Sequence, residues 1–148
     1  MSERRETKIV AKPGAQQILV SRVFDAPREA VFRAYTDPLL LPGWWGPAGM
    51  STTVEQMELR VGGQWRYVCS DAEGNSYTFR GVYHDVAAPE RLTHTFEFED
   101  VPGGVLLETV GFEDLGDATR LTDITVFQTL EDRDDVVQAG MEQGVVET

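Results

Sequence analysis

Cysteine and histidine are almost missing from this 148-residue chain. The single cysteine, Cys69, can close no internal disulfide, and with only His84 and His94 beside it there is no cluster at zinc spacing. No metal site and no cofactor are therefore expected. Long apolar runs are also absent: nothing approaches the roughly 18 residues a membrane-spanning helix needs. The charged start, Met1 to Lys8, is not followed by the apolar stretch of a secretory signal. A reducing, cytoplasmic setting and no membrane partner are the expectations.

Basic residues are scarce in one half only. From Asp85 onward there are 16 acidic and 3 basic residues, against 9 acidic and 10 basic before it. Phosphate binding needs a basic face, so nucleic acid is excluded as an expected partner. The net charge of -12 reads first as solubility and self-repulsion.

What is present is alternation. The polar segment 1–14 is expected to be a flexible tail, and 15–148 a single domain. Gln17 to Phe24 is rich in β-branched and apolar residues and predicts a strand, followed by a helix from Pro27 to about Thr36. That helix gathers Val31, Phe32, Ala34 and Tyr35 on one side and ends at Asp37-Pro38. Two adjacent tryptophans, Trp44 and Trp45, then sit between a Pro-Gly and a Gly-Pro, where neither a helix interior nor a strand is possible.

Beyond Met50 the period is two. Strands are predicted over Val54 to Leu59, Gln64 to Ser70, Ser76 to Val86, Leu92 to Glu99, Val105 to Phe112 and Thr119 to Gln128. Short turns such as Arg60-Val-Gly-Gly63 and Val101-Pro-Gly-Gly104 join them into an antiparallel meander. After Leu130, Val136, Val137, Met141 and Val145 suit a helix that Gly140 and Gly144 weaken. The fold class is α+β: one curved antiparallel sheet with helices against its inner face. Trp65, Tyr67, Phe79 and Phe96 are expected on that face, where they either fill the core or line a cavity.

Several motifs in order carry a family likeness: Phe24-Asp-Ala-Pro-Arg-Glu-Ala-Val-Phe-Arg-Ala-Tyr-Thr-Asp-Pro38, Trp44-Trp-Gly-Pro47, Arg60-Val-Gly-Gly63, Trp65-Arg66, Gly81-Val-Tyr83 and Pro89-Glu-Arg-Leu92. Over about residues 16 to 144 the chain resembles the START-like (SRPBCC) superfamily. Within it the likeness is to bacterial proteins similar to the C-terminal domain of the activator of the heat-shock-protein-90 ATPase. The resemblance implies a helix-grip fold of about seven strands, with a C-terminal helix lying across the sheet and a hydrophobic tunnel between them. Superfamily relatives bind lipids, sterols, polyketides or plant hormones, and some cyclise or hydrolyse ligands. Relatives continue past Gly140-Met-Glu-Gln-Gly144 with more helix, so a curtailed grip helix is expected here, leaving either a more open cavity or one covered by a second subunit in a homodimer.

The site expectations follow. Trp44, Trp45, Trp65, Tyr67, Phe79, His94, Phe96 and Met141 are the candidate ligand-binding residues, for a small hydrophobic molecule held without catalysis. His94 is the one acid–base candidate, should the protein instead be a cyclase or hydrolase of an aromatic or polyketide-like substrate. The family name alone adds a third alternative, a chaperone-associated interaction protein. Arg66 and Arg80 are expected on the solvent face, and Glu108 and Asp123 to pair with arginines across neighbouring strands. Cys69 is expected to be a buried, inert thiol. No nucleophile elbow or dinucleotide fingerprint is present, and the Gly-Gly pairs lie in hairpin turns and not at a helix N-terminus.

Overall fold

The computed structural model describes residues 7–138. The chain runs β1 (Lys8–Val10), β2 (Gln17–Phe24), α1 (Arg28–Thr36), a 3-10 turn (Leu41–Gly43), β3 (Ser51–Met57), β4 (Gln64–Ser70), β5 (Ser76–Ala87), β6 (Arg91–Phe98), β7 (Val105–Asp114), β8 (Thr119–Val126) and α2 (Leu130–Gln138). All eight strands form one sheet in the order β1-β2-β8-β7-β6-β5-β4-β3, and every pairing is antiparallel. Strands β3 to β8 are neighbours in sequence and in space, as short hairpin turns require. The long connection is the one from β2 through α1 to β3, which lie near opposite edges of the sheet.

The helix-grip reading holds, with two corrections to its edges. Lys8–Val10, expected in a flexible tail, pairs with Leu19 to Ser21 of β2, because Ile9 has an apolar cluster to enter. Strand β3 starts at Ser51 and ends at Met57, so Leu59 falls outside it and is exposed. Register shifts at Val54/Gln56 and Tyr83/Asp85 mark bulges, which bend a sheet and increase its twist.

Helix α1 buries Val31 and Phe32 against Leu92, Val110, Phe112 and Leu121 of β6, β7 and β8. The Phe32 and Phe112 rings meet edge to face at 5.2 Å. Asp37 ends the helix, its carboxylate accepting the Leu39 N–H at 2.9 Å and turning the chain toward the tryptophan loop. At the other end, the Thr129 hydroxyl caps α2 by accepting the Asp132 N–H at 3.0 Å. Val136 and Val137 of α2 pack on Ile18, Val20 and Phe127. The buried Arg133 guanidinium ties α2 to the first strand's connection by donating to the Lys12 carbonyl at 2.9 Å. No helix among the described residues is long and apolar enough to cross a membrane.

Candidate functional site

The inner face of the sheet has two unlike halves. Over β4, β5 and β6 it is filled with rings: Trp45 lies 5.0 Å from Tyr67, 5.3 Å from Phe79 and 6.4 Å from both Trp65 and Phe96. Trp65 is buried, and its indole N–H donates to the Thr95 carbonyl at 3.2 Å. That indole crosses β5 at Gly81, where a Cβ would stand 2.4 Å from its nitrogen and 1.9 Å from the Thr95 carbonyl oxygen. Only glycine leaves the space. Gly46, at φ +99, has the left-handed backbone conformation that ends the double-tryptophan segment, and it packs against Thr52 and Cys69.

The adjacent tryptophans diverge. Trp45 enters the ring cluster, while Trp44 turns to α1, meeting the Tyr35 ring at 4.4 Å with the two planes tilted by 47° and donating its indole N–H to the Ala34 carbonyl at 2.8 Å. Trp44 thereby becomes a wall shared by two adjoining cavities. The smaller, about 180 Å³, lies beneath the ring cluster and is lined by Trp44, Trp45, Trp65, Tyr67, His94 and Phe96, among others. The larger, about 460 Å³, opens between α1 and strands β2 and β8, with Val20, Phe24, Ala30, Val31, Ala34 and Leu121 among its apolar walls. Both cavities share Tyr35, Trp44, Glu108 and Asp123.

Of the candidate residues named from sequence, Trp44, Trp45, Trp65, Tyr67, His94 and Phe96 thus meet around the smaller cavity. Phe79 lines neither cavity and stacks instead on Phe98 at 5.2 Å. Met141 lies outside the described residues. Cys69 is fully buried against Thr52, at 3.4 Å. Arg66 and Arg80 lie on the outer face, where Arg66 pairs with Glu55 and Glu99 and Arg80 with Glu97 and Glu99.

Glu108 and Asp123 are placed differently from expectation: they face inward. Along β7, Leu106, Glu108, Val110 and Phe112 share a parity, and along β8 Leu121 and Asp123 do, so both carboxyls project among apolar neighbours. Arg22 has the same relation to Val20 and Phe24 on β2. In the register, Tyr83 opposes His94 and His94 opposes Glu108, with Asp123 next on β8. The result is a diagonal polar row, Arg22, Asp123, Glu108, His94 and Tyr83, across an otherwise apolar face. Tyr67 joins it through a hydroxyl hydrogen bond to Tyr83.

The row is electrostatically tight. His94 Nδ1 meets the Thr95 carbonyl at 3.2 Å and so carries a proton, leaving Nε2 3.2 Å from Glu108 Oε1. Those two atoms must hydrogen-bond through one proton, since two facing lone pairs repel. Burial lowers the His94 pKa, opposed by the Thr95 hydrogen bond and the Asp123 charge. Burial, then the charge and hydrogen bond of Glu108, hold Asp123 well above the usual carboxylate range. Burial likewise pushes up the Tyr35 hydroxyl, with the Asp123 and Glu108 charges adding to it. The Arg22 Nε is buried and finds no hydrogen-bond partner among the described residues, although its guanidinium lies 5.3 Å from the Phe24 ring. Among the described residues no group of three His, Cys, Asp or Glu side chains is disposed to hold a metal ion.

A family model described as Activator of Hsp90 ATPase homolog 1-like protein matches residues 25–148. The chain belongs to this family. Solved structures similar to this chain include a protein from Rhodobacter sphaeroides, 29% identical, covering 96% of this chain and 92% of that one with a TM-score of 0.87. A protein from Arthrobacter aurescens is also 29% identical, over 95% and 85% of the two chains, with a TM-score of 0.87. An HSP90 activator from Plasmodium falciparum, 19% identical over 82% and 87%, has a TM-score of 0.58 and shares the fold alone. No curated protein matches the chain. The family is START-like, and its fold is of a ligand-binding type.

Proposed function

We propose that the protein binds a small hydrophobic molecule, of lipid, polyketide or aromatic type, in the cavity between α1 and strands β2 and β8. The observation that carries this reading is the space of about 460 Å³ left between Ala30, Ala34, Val20 and Leu121 in a domain whose other half is filled with rings. That volume falls in the range that accommodates compact organic ligands. Apolar walls supply affinity through burial, and the few polar groups at the floor fix orientation.

Trp44 is the natural reporter, because its ring bounds both cavities. A saturable change in tryptophan fluorescence is expected with an apolar aromatic probe such as 2-tetralone. Ala30→Phe, which extends a ring into the space from an exposed helical position, is expected to weaken that binding at least about tenfold. Unchanged affinity in Ala30→Phe would remove the larger cavity as the binding site.

A further inference from the structure

The cavity floor holds more titratable chemistry than ligand capture needs. An apolar binder is served by an apolar floor, and replacing buried ionisable groups by packed hydrocarbon is often neutral or stabilising. Here Glu108 and Asp123 stand side by side in the wall common to both cavities, and His94 Nε2 is 3.2 Å from Glu108 Oε1. The geometry points to an acid–base site that moves a proton between carbon and oxygen of an apolar carbonyl compound, with Glu108 as the base and Asp123 as the acid. This inference rests on the binding reading above and adds an activity to it.

The step balances without any cofactor. Glu108, whose Oε1 shares a proton with His94 Nε2, takes a proton from the carbon next to the substrate carbonyl at its other oxygen as the shared proton moves onto the imidazole, and the C–H electron pair becomes the enol C=C bond. Asp123, which holds its proton well above the usual carboxylate range, gives that proton to the carbonyl oxygen. The enol results. Glu108, now protonated, exchanges that proton with water at the cavity mouth while Asp123 stays a carboxylate, and reversal of the two transfers delivers a solvent-derived proton to carbon as the enol O–H proton goes back to Asp123. His94 Nε2 steadies the proton on Glu108, while the Arg22 Nε, without a hydrogen-bond partner, is a further donor beside the oxygen. The groups facing the pair are Arg22 from β2, Tyr35 from α1, His94 from β6 and, through Tyr67, Tyr83 on β4 and β5. Apolar walls keep water from competing for the same hydrogen bonds.

The test follows hydrogen–deuterium exchange at the α-carbons of 2-tetralone in D2O by NMR, with binding read separately from tryptophan fluorescence. Wild-type protein is expected to accelerate exchange about 100-fold or more over buffer. Glu108→Gln and Asp123→Asn, which keep shape and remove the acid or base, are expected to lose at least about tenfold of that rate while still binding the ketone. Glu97→Gln, on the outer face, is expected to match wild type. Thermal unfolding of each variant checks folding, and the acid–base role predicts that neither inner-face variant is less stable than wild type. Binding without accelerated exchange, or full exchange in Glu108→Gln, overturns the acid–base inference alone. Absence of binding overturns the pocket reading and this inference with it.

Discussion

Two halves of one sheet face treat bulky side chains in opposite ways. Over β4 to β6, Trp45, Trp65, Tyr67, Phe79 and Phe96 pack on one another until only about 180 Å³ is left open. Over β2, β7 and β8, smaller groups on the strands meet alanines on α1, and about 460 Å³ is left, floored by charge. Aromatic density in a sequence thus marks where a cavity has been filled. The hollow is found where an inward-facing row turns small and polar.

The comparison is broken most severely by emptying the filled half. Trp65→Ala is expected to cost about 3–5 kcal/mol in denaturant unfolding, since the surrounding rings collapse only in part. Gly81→Ala sets a methyl against a backbone oxygen and the Trp65 indole, and about 1–3 kcal/mol is expected by the same measurement.

Asp123→Asn sharpens the contrast from the hollow half through pH. A carboxyl whose folded pKa is raised binds more protons folded than unfolded, so its contribution to stability falls as pH rises above the ordinary aspartate value toward the folded one. The variant lacks that loss. Its melting temperature relative to wild type should therefore climb from pH 4 to pH 7, and a gap that is flat or closes would contradict a retained proton. His94 acts with the opposite sign: its lowered folded value removes stability as pH falls below the ordinary imidazole value, and the variant, lacking the Asp123 charge that opposes this lowering, loses no less, so the gap still climbs with pH.

Ala30→Phe, at an exposed position on α1, is expected to leave stability within about 0.5 kcal/mol while blocking the ligand. Arg66→Gln should shift the melting temperature less than any inner-face change, because its pairs with Glu55 and Glu99 sit in solvent and are screened.

Much of this architecture is legible in the sequence. Period-two alternation predicts β2 and β4 to β8 within a few residues, and Pro27, Asp37 and Pro38 bracket α1. The ring cluster also follows from parity, since Trp65, Tyr67 and Cys69 alternate cleanly with polar residues. The floor of the hollow half does not. Strand β7 carries apolar residues at both parities, with Leu106, Val110 and Phe112 inward and Leu107 exposed, so its charged member reads as solvent-facing by default. The same holds for β8, where Ile124 and Val126 compete with Leu121. Parity shared by Leu106, Glu108, Val110 and Phe112 was the available signal for Glu108, and Ile18, Val20, Arg22 and Phe24 for Arg22. His94 is legible because Leu92 and Phe96 flank it on a strand whose other parity is wholly polar.

The division of the face is tested most directly by a methyl-resolved NMR titration with 2-tetralone. The account predicts that the methyl groups of Ala30, Ala34, Val20 and Leu121, around the larger cavity, shift saturably while those of Val54 and Met57, behind the ring cluster, stay in place. Shifts confined to Val54 and Met57, or no saturable shift at any of them, would contradict it.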